Sequence, residues 1–380
     1  MIDESERILF VMPHLAFGGA ERLASHMAAY LQRRKHHPAL IVATKYPWMP
    51  EPDENWFEQS METIVRIDTG PADWTAVLLR HIVELNASIL VVMGYSPIYH
   101  ALPMIRRRCP GLRIVAFQFN EHELTAEHRI YASWLNLIVV EGANLVDLLT
   151  ASGVDPESIA LIPSAIDRDK FLAGACSGAA AGIGSVGRRL AVGYVGRIDP
   201  AKDPLMFVEI AGLLRSRSID FIIVGDGPLE AEVRRSIHRL GLKRHVRCLG
   251  RVRSDLMPAV YGALDVVVVP SRIDGRPQVV QEAQASGVAV VAANVGSMRD
   301  LIDDEDTGLF CPAGSGADAY SAQIARLLDQ PELRRRIGGA GRRRVQRGAS
   351  LSDTLELYNV ALLGRASGSS HDLLFTANSP

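Results

Sequence analysis

Cysteine is scarce in this chain, and its spacing suits neither metal binding nor cross-linking. The four cysteines lie far apart, and none forms a C-x-x-C pair. This spacing gives no indication of a zinc site or a disulfide framework. The chain also lacks any stretch approaching the roughly 20 apolar residues that a membrane span requires, and no signal-peptide pattern begins it. We therefore expect a cytoplasmic protein whose membrane contact, if it makes any, is peripheral at the inner face.

An excess of charge of one sign is absent as well. The formal net charge of the 380 residues is -2, so nothing in the balance demands a nucleic-acid partner. Hydrophobic residues make up 48% of the chain and charged residues 22%. These values are typical of a soluble globular protein that is long enough for two domains with separate cores.

Short apolar runs alternate with helical periodicity in both halves of the chain. They cover residues 7–12, 39–44, 64–67, 89–93, 113–117 and 137–140, and then 190–195, 221–227, 246–250, 266–269 and 288–292. This alternation is typical of parallel sheets wound with helices. Between the two series, residues 173–189 are rich in Ala, Gly and Ser and predict a linker. We therefore predict an N-terminal Rossmann-like domain over 1–172, a C-terminal one over 190–349, a further helix over 350–364 and a disordered tail over 365–380.

The stretch from 266 to 308 reads as a strand, a polar loop, a helix and a second strand. Ligands of open α/β sheets bind at the carboxyl ends of strands, and a helix N-terminus attracts phosphate. Asp274 lies in the loop, and Glu282 follows about two helical turns later. The two carboxylates could hold different parts of one extended ligand, although carboxylates near a helix start also serve as caps or dipole partners.

These motifs resemble those of the retaining, nucleotide-sugar-dependent glycosyltransferases of family 4. The D-x7-E frame of Asp274 and Glu282 resembles the family's E-x7-E signature, with Asp in place of the usual first Glu. The run GGAER at residues 18–22 resembles the family's first-loop motif. Ser164 and Ala165 depart from the usual Asn-Gly pair, whereas Asp167 is retained. The resemblance covers roughly residues 7–348 and implies the GT-B architecture: two Rossmann-like, doubly wound domains facing a central cleft, with the last helix crossing back to the first domain.

The resemblance also implies the residues that bind the donor. Arg197 and Lys202 would hold the pyrophosphate, Glu282 the ribose hydroxyls and Asp274 the sugar, and Arg197, Lys202 and Asp274 would take part in catalysis. The base would be held mainly by backbone contacts at Arg251 and Val252. Further expected donor contacts come from Gly18, Gly19, Gly227, Gly275, Arg276 and Val279.

One position near the reacting carbon and the acceptor stays open between two residues. The family often has a histidine at the end of a strand of its first domain, and the strand over 113–117 is followed by Asn120 and His122. His122 lies two or three places beyond the expected position, so Asn120 competes with it. His122 flanked by carboxylates could equally be a solvated loop residue.

The function implied is transfer of a hexose from a UDP- or GDP-sugar to a saccharide or lipid-linked saccharide, in polysaccharide or glycoconjugate biosynthesis. No cofactor is expected beyond the nucleotide-sugar substrate. Because no D-x-D motif is apparent beside the site, we expect the activity to be metal-independent.

Arginine runs at 106–108, 334–336 and 342–344 could meet an anionic membrane, although such helix surfaces are common. Two alternatives remain: a nucleotide-sugar epimerase on the same fold, and a non-catalytic nucleotide-sugar-binding protein.

Overall fold

The structure is a computed structural model that describes residues 5–13, 18–42, 60–67, 74–94, 97–122, 125–174 and 189–364. The chain divides into two compact units. The N-terminal unit comprises Met1–Ser164 together with Ser352–Pro380, and the C-terminal unit comprises Ala165–Leu351. The predicted tail over 365–380 and most of the predicted linker lie outside the described residues.

The N-terminal unit is built on a seven-stranded parallel sheet in the order β3-β2-β1-β4-β5-β6-β7. Its strands are β1 (Arg7–Met12), β2 (His37–Val42), β3 (Thr63–Arg66), β4 (Ile89–Met93), β5 (Arg113–Gln118), β6 (Leu137–Val140) and β7 (Ile159–Leu161). Its helices are α1 (Gly19–Arg33), α2 (Trp74–Glu84), α3 (Pro97–Arg108), α4 (Thr125–Tyr131) and α5 (Ala143–Ala151). Central strands such as β4 are buried throughout, as expected where helices cover both faces of a parallel sheet.

The C-terminal unit repeats this plan with a six-stranded parallel sheet in the order β10-β9-β8-β11-β12-β13. Its strands are β8 (Leu190–Val195), β9 (Ile219–Val224), β10 (Val246–Gly250), β11 (Val266–Val269), β12 (Ala289–Ala293) and β13 (Leu309–Cys311). Its helices are α6 (Arg168–Gly174), α7 (Pro204–Leu213), α8 (Glu230–Arg239), α9 (Met257–Gly262), α10 (Gln278–Ala285), α11 (Ala317–Asp329) and α12 (Pro331–Arg347). The strand order reverses between β8 and β11, so a crevice opens at the carboxyl ends of these two strands.

The boundary between the units differs from the one predicted at residues 173–189. Helix α6 belongs to the C-terminal unit, which begins at Ala165. Arg168 holds the helix by donating to the carbonyl oxygens of Val345 and Gln346, over 3.2 and 2.9 Å. Arg342 donates in turn to the carbonyl oxygen of Leu172 over 3.0 Å. These contacts tie α6 to α12, so the division falls before α6.

A last helix, α13 (Leu351–Leu363), packs almost entirely on the N-terminal unit. The Tyr358 hydroxyl donates to the carbonyl oxygen of Ile162 over 3.1 Å, and its ring lies against that of Phe117. Arg113, at the start of β5, donates to the carbonyl oxygens of Leu362 and Ala361 at the end of the helix. The N-terminal unit is therefore assembled from two separate segments of chain. Among the described helices, none combines the length and apolar character needed to cross a bilayer.

Candidate functional site

Two loops meet where the C-terminal sheet reverses its strand order. The loop after β8 (residues 196–203) carries Lys202, and the loop after β11 (residues 270–277) carries Asp274. The backbone N–H of Arg272 donates to the carbonyl oxygen of Ala201 over 2.8 Å, which joins the loops directly. Lys202 and Asp274 then form an ion pair, with 2.7 Å between Nζ and Oδ1. Two residues predicted from distant motifs therefore lie in contact.

Asp199 organises the loop after β8. One of its oxygens pairs with Arg197, with 2.8 Å between Oδ2 and Nη2, and the other accepts the backbone N–H of Lys202 over 3.0 Å. Tyr194 anchors the same loop by donating its hydroxyl proton to the carbonyl oxygen of Arg197 over 2.6 Å. Burial, together with the neighbouring carboxylates, raises the pKa of Tyr194 well above its usual value. The hydroxyl therefore stays protonated and remains a donor.

Asp203 ends this loop at the start of α7. Its backbone is left-handed, at φ 48° and ψ 59°, and its side chain caps the helix by accepting the N–H of Met206 over 3.2 Å. Arg272 donates its Nε–H to the buried Asp203 carboxylate over 2.6 Å. Sequence reasoning missed Asp203, although an Asp-Pro pair at a helix start is a recognisable capping signal.

Both carboxylate oxygens of Asp274 are engaged, and the residue is only 8% exposed. Lys202 pairs with Oδ1, and the Ser271 hydroxyl donates to Oδ2 over 2.9 Å. A buried carboxylate needs such partners because holding its charge away from water is costly. A hydrogen-bond donor of any ligand that approaches Asp274 must therefore share its oxygens with Lys202 or Ser271, or replace one of them.

A glycine turn supports the loop after β11 from its other side. Gly296 has φ 54°, and a Cβ at this position would lie 1.8 Å from the carbonyl oxygen of Asp274. The N–H of Ser297 donates to the carbonyl oxygen of Gly275 over 3.1 Å. Arg276 is partly buried and faces Asp300, with 3.9 Å between Nη1 and Oδ2. The position of Asp274 therefore depends on the absence of a side chain at Gly296.

Glu282 lies on α10 and is buried, at 4% exposure. The Tyr261 hydroxyl donates to its Oε2 over 2.8 Å, and the Tyr261 ring packs edge-on against Phe171. The helix starts after Pro277, whose side chain makes no capping hydrogen bond. Val279, in the first turn, packs against the apolar core. Glu282 is thus held in a fixed orientation by an aromatic neighbour that the sequence motif did not indicate.

The turn after β9 packs against the loop after β8. A Cβ at Gly227 would lie 2.6 Å from the carbonyl oxygen of Ile198, and one at Gly225 would lie 1.8 Å from that of Gly196. Both glycines have positive φ, so a side chain at either position would push the neighbouring loop away. This close packing supplies a structural reason for Gly227 beside the expected donor contact.

The expected base-binding residues follow β10. Arg251 pairs with Asp226, with 2.6 Å between Nη2 and Oδ2. The side chain of Val252 is partly buried against the apolar core. Both side chains are therefore held by contacts within the unit. We accordingly still expect the backbone of this loop to contact a base.

The glycine motif of the N-terminal unit begins α1. Gly18 has extended backbone geometry and no side-chain cap. A Cβ at Gly18 would lie 2.4 Å from Oε2 of Glu21, which is itself buried. Gly18 thus leaves room for Glu21 to lie over the helix start, and Gly19 is the first residue of α1. Residues 14–17 fall outside the described residues.

His122 is exposed and donates its backbone N–H to Oδ1 of Asn120 over 3.0 Å. The carbonyl oxygen of Asn120 accepts a hydrogen bond from Nε2 of Gln118 over 3.1 Å. Oε1 of Gln118 contacts Nδ1 of His128 at 2.7 Å, and Nε2 of His128 contacts the Tyr99 hydroxyl at 2.7 Å. The two candidates, His122 and Asn120, therefore belong to one hydrogen-bonded loop.

His128 was missed by the sequence reasoning. It is fully buried, and this burial lowers its pKa to about 4. The ring is therefore neutral at pH 7. Nδ1–H donates to Gln118, and Nε2 accepts from the Tyr99 hydroxyl. This chain of hydrogen bonds fixes the end of β5 from the inside of the unit.

The arginine runs are largely engaged within their own units. Those on α12 make ion pairs or hydrogen bonds through Arg334, Arg335, Arg336, Arg342 and Arg344. On α3, Arg106 donates to the carbonyl oxygen of Trp134 over 2.9 Å. Much of this arginine therefore contributes to packing or ion pairs. The exposed arginines of these helices are Arg107, Arg108, Arg335, Arg336, Arg343 and Arg347, and two of them, Arg335 and Arg336, pair with Glu332 and Asp306.

Comparison with known proteins gives a consistent result. Residues 182–344 match the family model described as "Glycosyl transferases group 1". A D-inositol 3-phosphate glycosyltransferase of Segniliparus rotundus is 30% identical over 236 residues, which is 60% of this chain and 52% of that protein. The alpha-D-kanosaminyltransferase of Streptomyces kanamyceticus is 34% identical over 146 residues, 38% of each chain. The chain thus spans about half the length, or less, of these curated relatives.

Solved structures show the same fold at low sequence identity. Sucrose-phosphate synthase from Thermosynechococcus elongatus has a TM-score of 0.77 at 19% identity, covering 98% of this chain and 100% of that one. Anabaena HepE in complex with UDP-glucose has a TM-score of 0.75 at 17% identity, covering 94% and 100%. The two doubly wound sheets are therefore those of a GT-B fold, as predicted. Within this class, residues 182–344 match the glycosyl transferases group 1 model, in agreement with the resemblance seen in the sequence.

Proposed function

We propose that the protein is a retaining glycosyltransferase that moves a hexose from a UDP- or GDP-sugar to a saccharide or lipid-linked saccharide acceptor. The observation that carries this proposal is the contact between Lys202 and Asp274 at the point where the strand order reverses. Here a cation and a carboxylate lie at the carboxyl ends of strands, beside the N-terminus of α10. This is where a nucleotide sugar is expected to bind in such a sheet.

The site neutralises its own charges. Arg197 pairs with Asp199, and Lys202 pairs with Asp274. An arriving pyrophosphate competes for both cations because its negative charge exceeds that of either single carboxylate. As Lys202 turns toward the phosphate, Oδ1 of Asp274 becomes available to sugar hydroxyls. The carboxylate stays hydrogen-bonded throughout, so donor binding exchanges one set of buried contacts for another.

The reaction breaks the bond between the anomeric carbon and the distal phosphate oxygen, and its electron pair leaves with the nucleoside diphosphate. A hydroxyl oxygen of the acceptor forms the new bond to the anomeric carbon, and its proton passes to an oxygen of the departing nucleoside diphosphate. Arg197 and Lys202 stabilise the charge that develops on the leaving phosphate, because cations already in place need no reorganisation. Glu282, oriented by Tyr261, would accept hydrogen bonds from the ribose hydroxyls.

Arg197→Ala and Lys202→Ala test the phosphate assignment. Each should reduce sugar transfer by about two to three decades, as the loss of a charge-stabilising donor typically does. A suitable control is Arg253→Ala, which removes an exposed arginine paired with Asp255 in the same unit. Transfer close to wild type in both site variants would contradict the assignment.

The donor is found by measuring thermal stabilisation with a panel of UDP- and GDP-sugars, since a bound ligand raises the melting temperature by mass action. Acceptors to test with the donor so identified include D-inositol 3-phosphate, which the names of several relatives suggest.

Hydrolysis of the donor by water separates an enzyme from a non-catalytic binding protein. Product analysis without acceptor detects an epimerase. Adding a chelator tests metal independence.

We also propose peripheral contact with a membrane, through fewer arginines than the three runs in the sequence contain. Because most of the arginines on α12 are already paired, contact with anionic lipid would depend mainly on the exposed arginines outside those pairs, Arg107, Arg108, Arg343 and Arg347. Co-sedimentation with phosphatidylglycerol vesicles tests this. Equal recovery of the protein with neutral phosphatidylcholine vesicles would contradict an electrostatic contact.

A further inference from the structure

Asp203 is unusual among the described non-glycine residues with a left-handed backbone. The others are Lys35, Asn86 and Glu305, which are all exposed, whereas Asp203 is only 6% exposed. Asp visits this region at a cost that its short polar side chain offsets by local hydrogen bonding. A strained backbone conformation persists where the surrounding contacts hold it, and such positions often mark functional loops.

The contacts around Asp203 hold Lys202 from both sides. The neighbouring loop binds the residue after Lys202 through the Arg272 side chain, which donates to Asp203 over 2.6 Å. It binds the residue before Lys202 through the backbone N–H groups of Arg272 and Ile273, which both donate to Ala201. Lys202 thus lies between two fixed points, with its ammonium group directed at Asp274.

We propose that Asp203 is a positioning residue of the donor-phosphate site, which fixes the backbone at Lys202 so that its ammonium group faces the pyrophosphate. This inference rests on the proposed function and extends it to a residue outside the expected motifs. Asp203 does not touch the donor. Its effect on binding passes through Lys202, and the Arg272 pair and the cap of α7 keep it in place.

A purely structural role, in which Asp203 only caps α7, predicts a different pattern of losses. Loss of the cap alone would lower stability and would weaken binding, if at all, independently of Lys202. A positioning role makes the two residues interdependent. Residues that act on the same interaction show non-additive losses in a double-mutant cycle.

The experiment measures the affinity for UDP, and for GDP in parallel, by calorimetry in Asp203→Ala, Lys202→Ala and the double variant. Asp203→Ala should weaken binding about fivefold, the equivalent of one lost capping contact. In the Lys202→Ala background the same change should cost nothing further. Asp203→Asn should fall between the wild type and Asp203→Ala: Asn caps helices and tolerates the left-handed region, but its single acceptor oxygen cannot serve both Met206 and Arg272.

Asn86→Ala provides the matched control. Asn86 is also left-handed, at φ 46°, but it is exposed and lies in the N-terminal unit. The control should lose stability and keep its nucleotide affinity. Additive losses for Asp203 and Lys202, or wild-type affinity in Asp203→Ala, would overturn the inference alone. Wild-type affinity in Lys202→Ala, or no binding of either nucleotide to the wild type, would overturn the proposed function and the inference with it.

Discussion

Gly296 is not itself a proposed donor contact, but replacing it by alanine should displace the loop that carries Asp274. A Cβ at this position would lie 1.8 Å from the carbonyl oxygen of Asp274, and separations under 3.0 Å are essentially never seen. The loop or the turn must therefore move by about 1.2 Å. A misplacement of about 1 Å in a reacting site can reduce the rate a hundredfold, so we expect sugar transfer by Gly296→Ala to fall by about two decades.

Gly314→Ala separates this displacement from the cost of the backbone conformation. Gly314 has φ 76°, close to the 54° of Gly296, but nothing lies within 4 Å of a Cβ placed there. Both variants should lose about 1 kcal/mol of stability, because alanine is strained at positive φ. Any additional loss in Gly296→Ala comes from the contact with the loop after β11.

The assay compares transfer rates with the donor that the stabilisation panel identifies, alongside thermal unfolding of both variants. Nucleoside diphosphate affinity should change less than transfer in Gly296→Ala, because the displaced carboxylate is assigned to the sugar. Equal transfer rates in Gly296→Ala and Gly314→Ala would refute the claim that the turn at Gly296 sets the position of Asp274.

Three further predictions follow from contacts at single residues. Tyr261→Phe should weaken UDP or GDP binding about tenfold, since a hydrogen bond to a charged group typically contributes 1.5–3 kcal/mol; unchanged affinity in calorimetry would remove Tyr261 from the site. Asp274→Asn should depress transfer without weakening nucleoside diphosphate binding, because Lys202 loses a competitor; a parallel fall in both would contradict the sugar-contact role. Burial lowers the pKa of His128 from 6.5 to about 4, so the folded state binds fewer protons and stability falls as the pH drops through this range, by about 3 kcal/mol in total. Chemical denaturation at pH 7 and pH 4 should show a smaller difference in His128→Asn than in the wild type.

The alternation of strands and helices was predictable because each element has a strong local signal. Buried strands such as β11 are uninterrupted apolar runs, and the loops after them are marked by glycine, proline and charge. The motif around Asp274 also predicted a loop between a strand and a helix, and Asp274 lies in such a loop. The contact between Asp274 and Lys202 could be predicted only from the strand order of the sheet. That order brings β8 and β11 together, although β9 and β10 separate them in the chain.

What the sequence could not indicate are the residues whose importance comes from backbone geometry. Apart from the capping signal at Asp203, nothing in the sequence distinguishes Asp199 and Asp203 from other acidic residues, because their roles depend on the folded backbone of the loop after β8. The role of His128 could not be predicted, because nothing in the local sequence shows that a histidine on a short helix is buried. His122 was the candidate because it lies nearer the strand. The boundary after residue 172 was misplaced for a similar reason: the attachment of α6 to α12 depends on Arg168 and Arg342, which are far apart in the chain.

The return of α13 to the N-terminal unit has a consequence for synthesis of the chain on the ribosome. The C-terminal unit is continuous from Ala165 to Leu351, whereas the N-terminal unit lacks Tyr358 and its partners on α13 until the chain has grown well past Ser164. At about 5–20 residues per second this interval lasts roughly 10 to 40 s. During it, Phe117 and the end of β7 lack a covering helix. The N-terminal unit thus emerges before the C-terminal unit but is completed after it, and its exposed apolar surface is where a nascent-chain chaperone would be expected to bind.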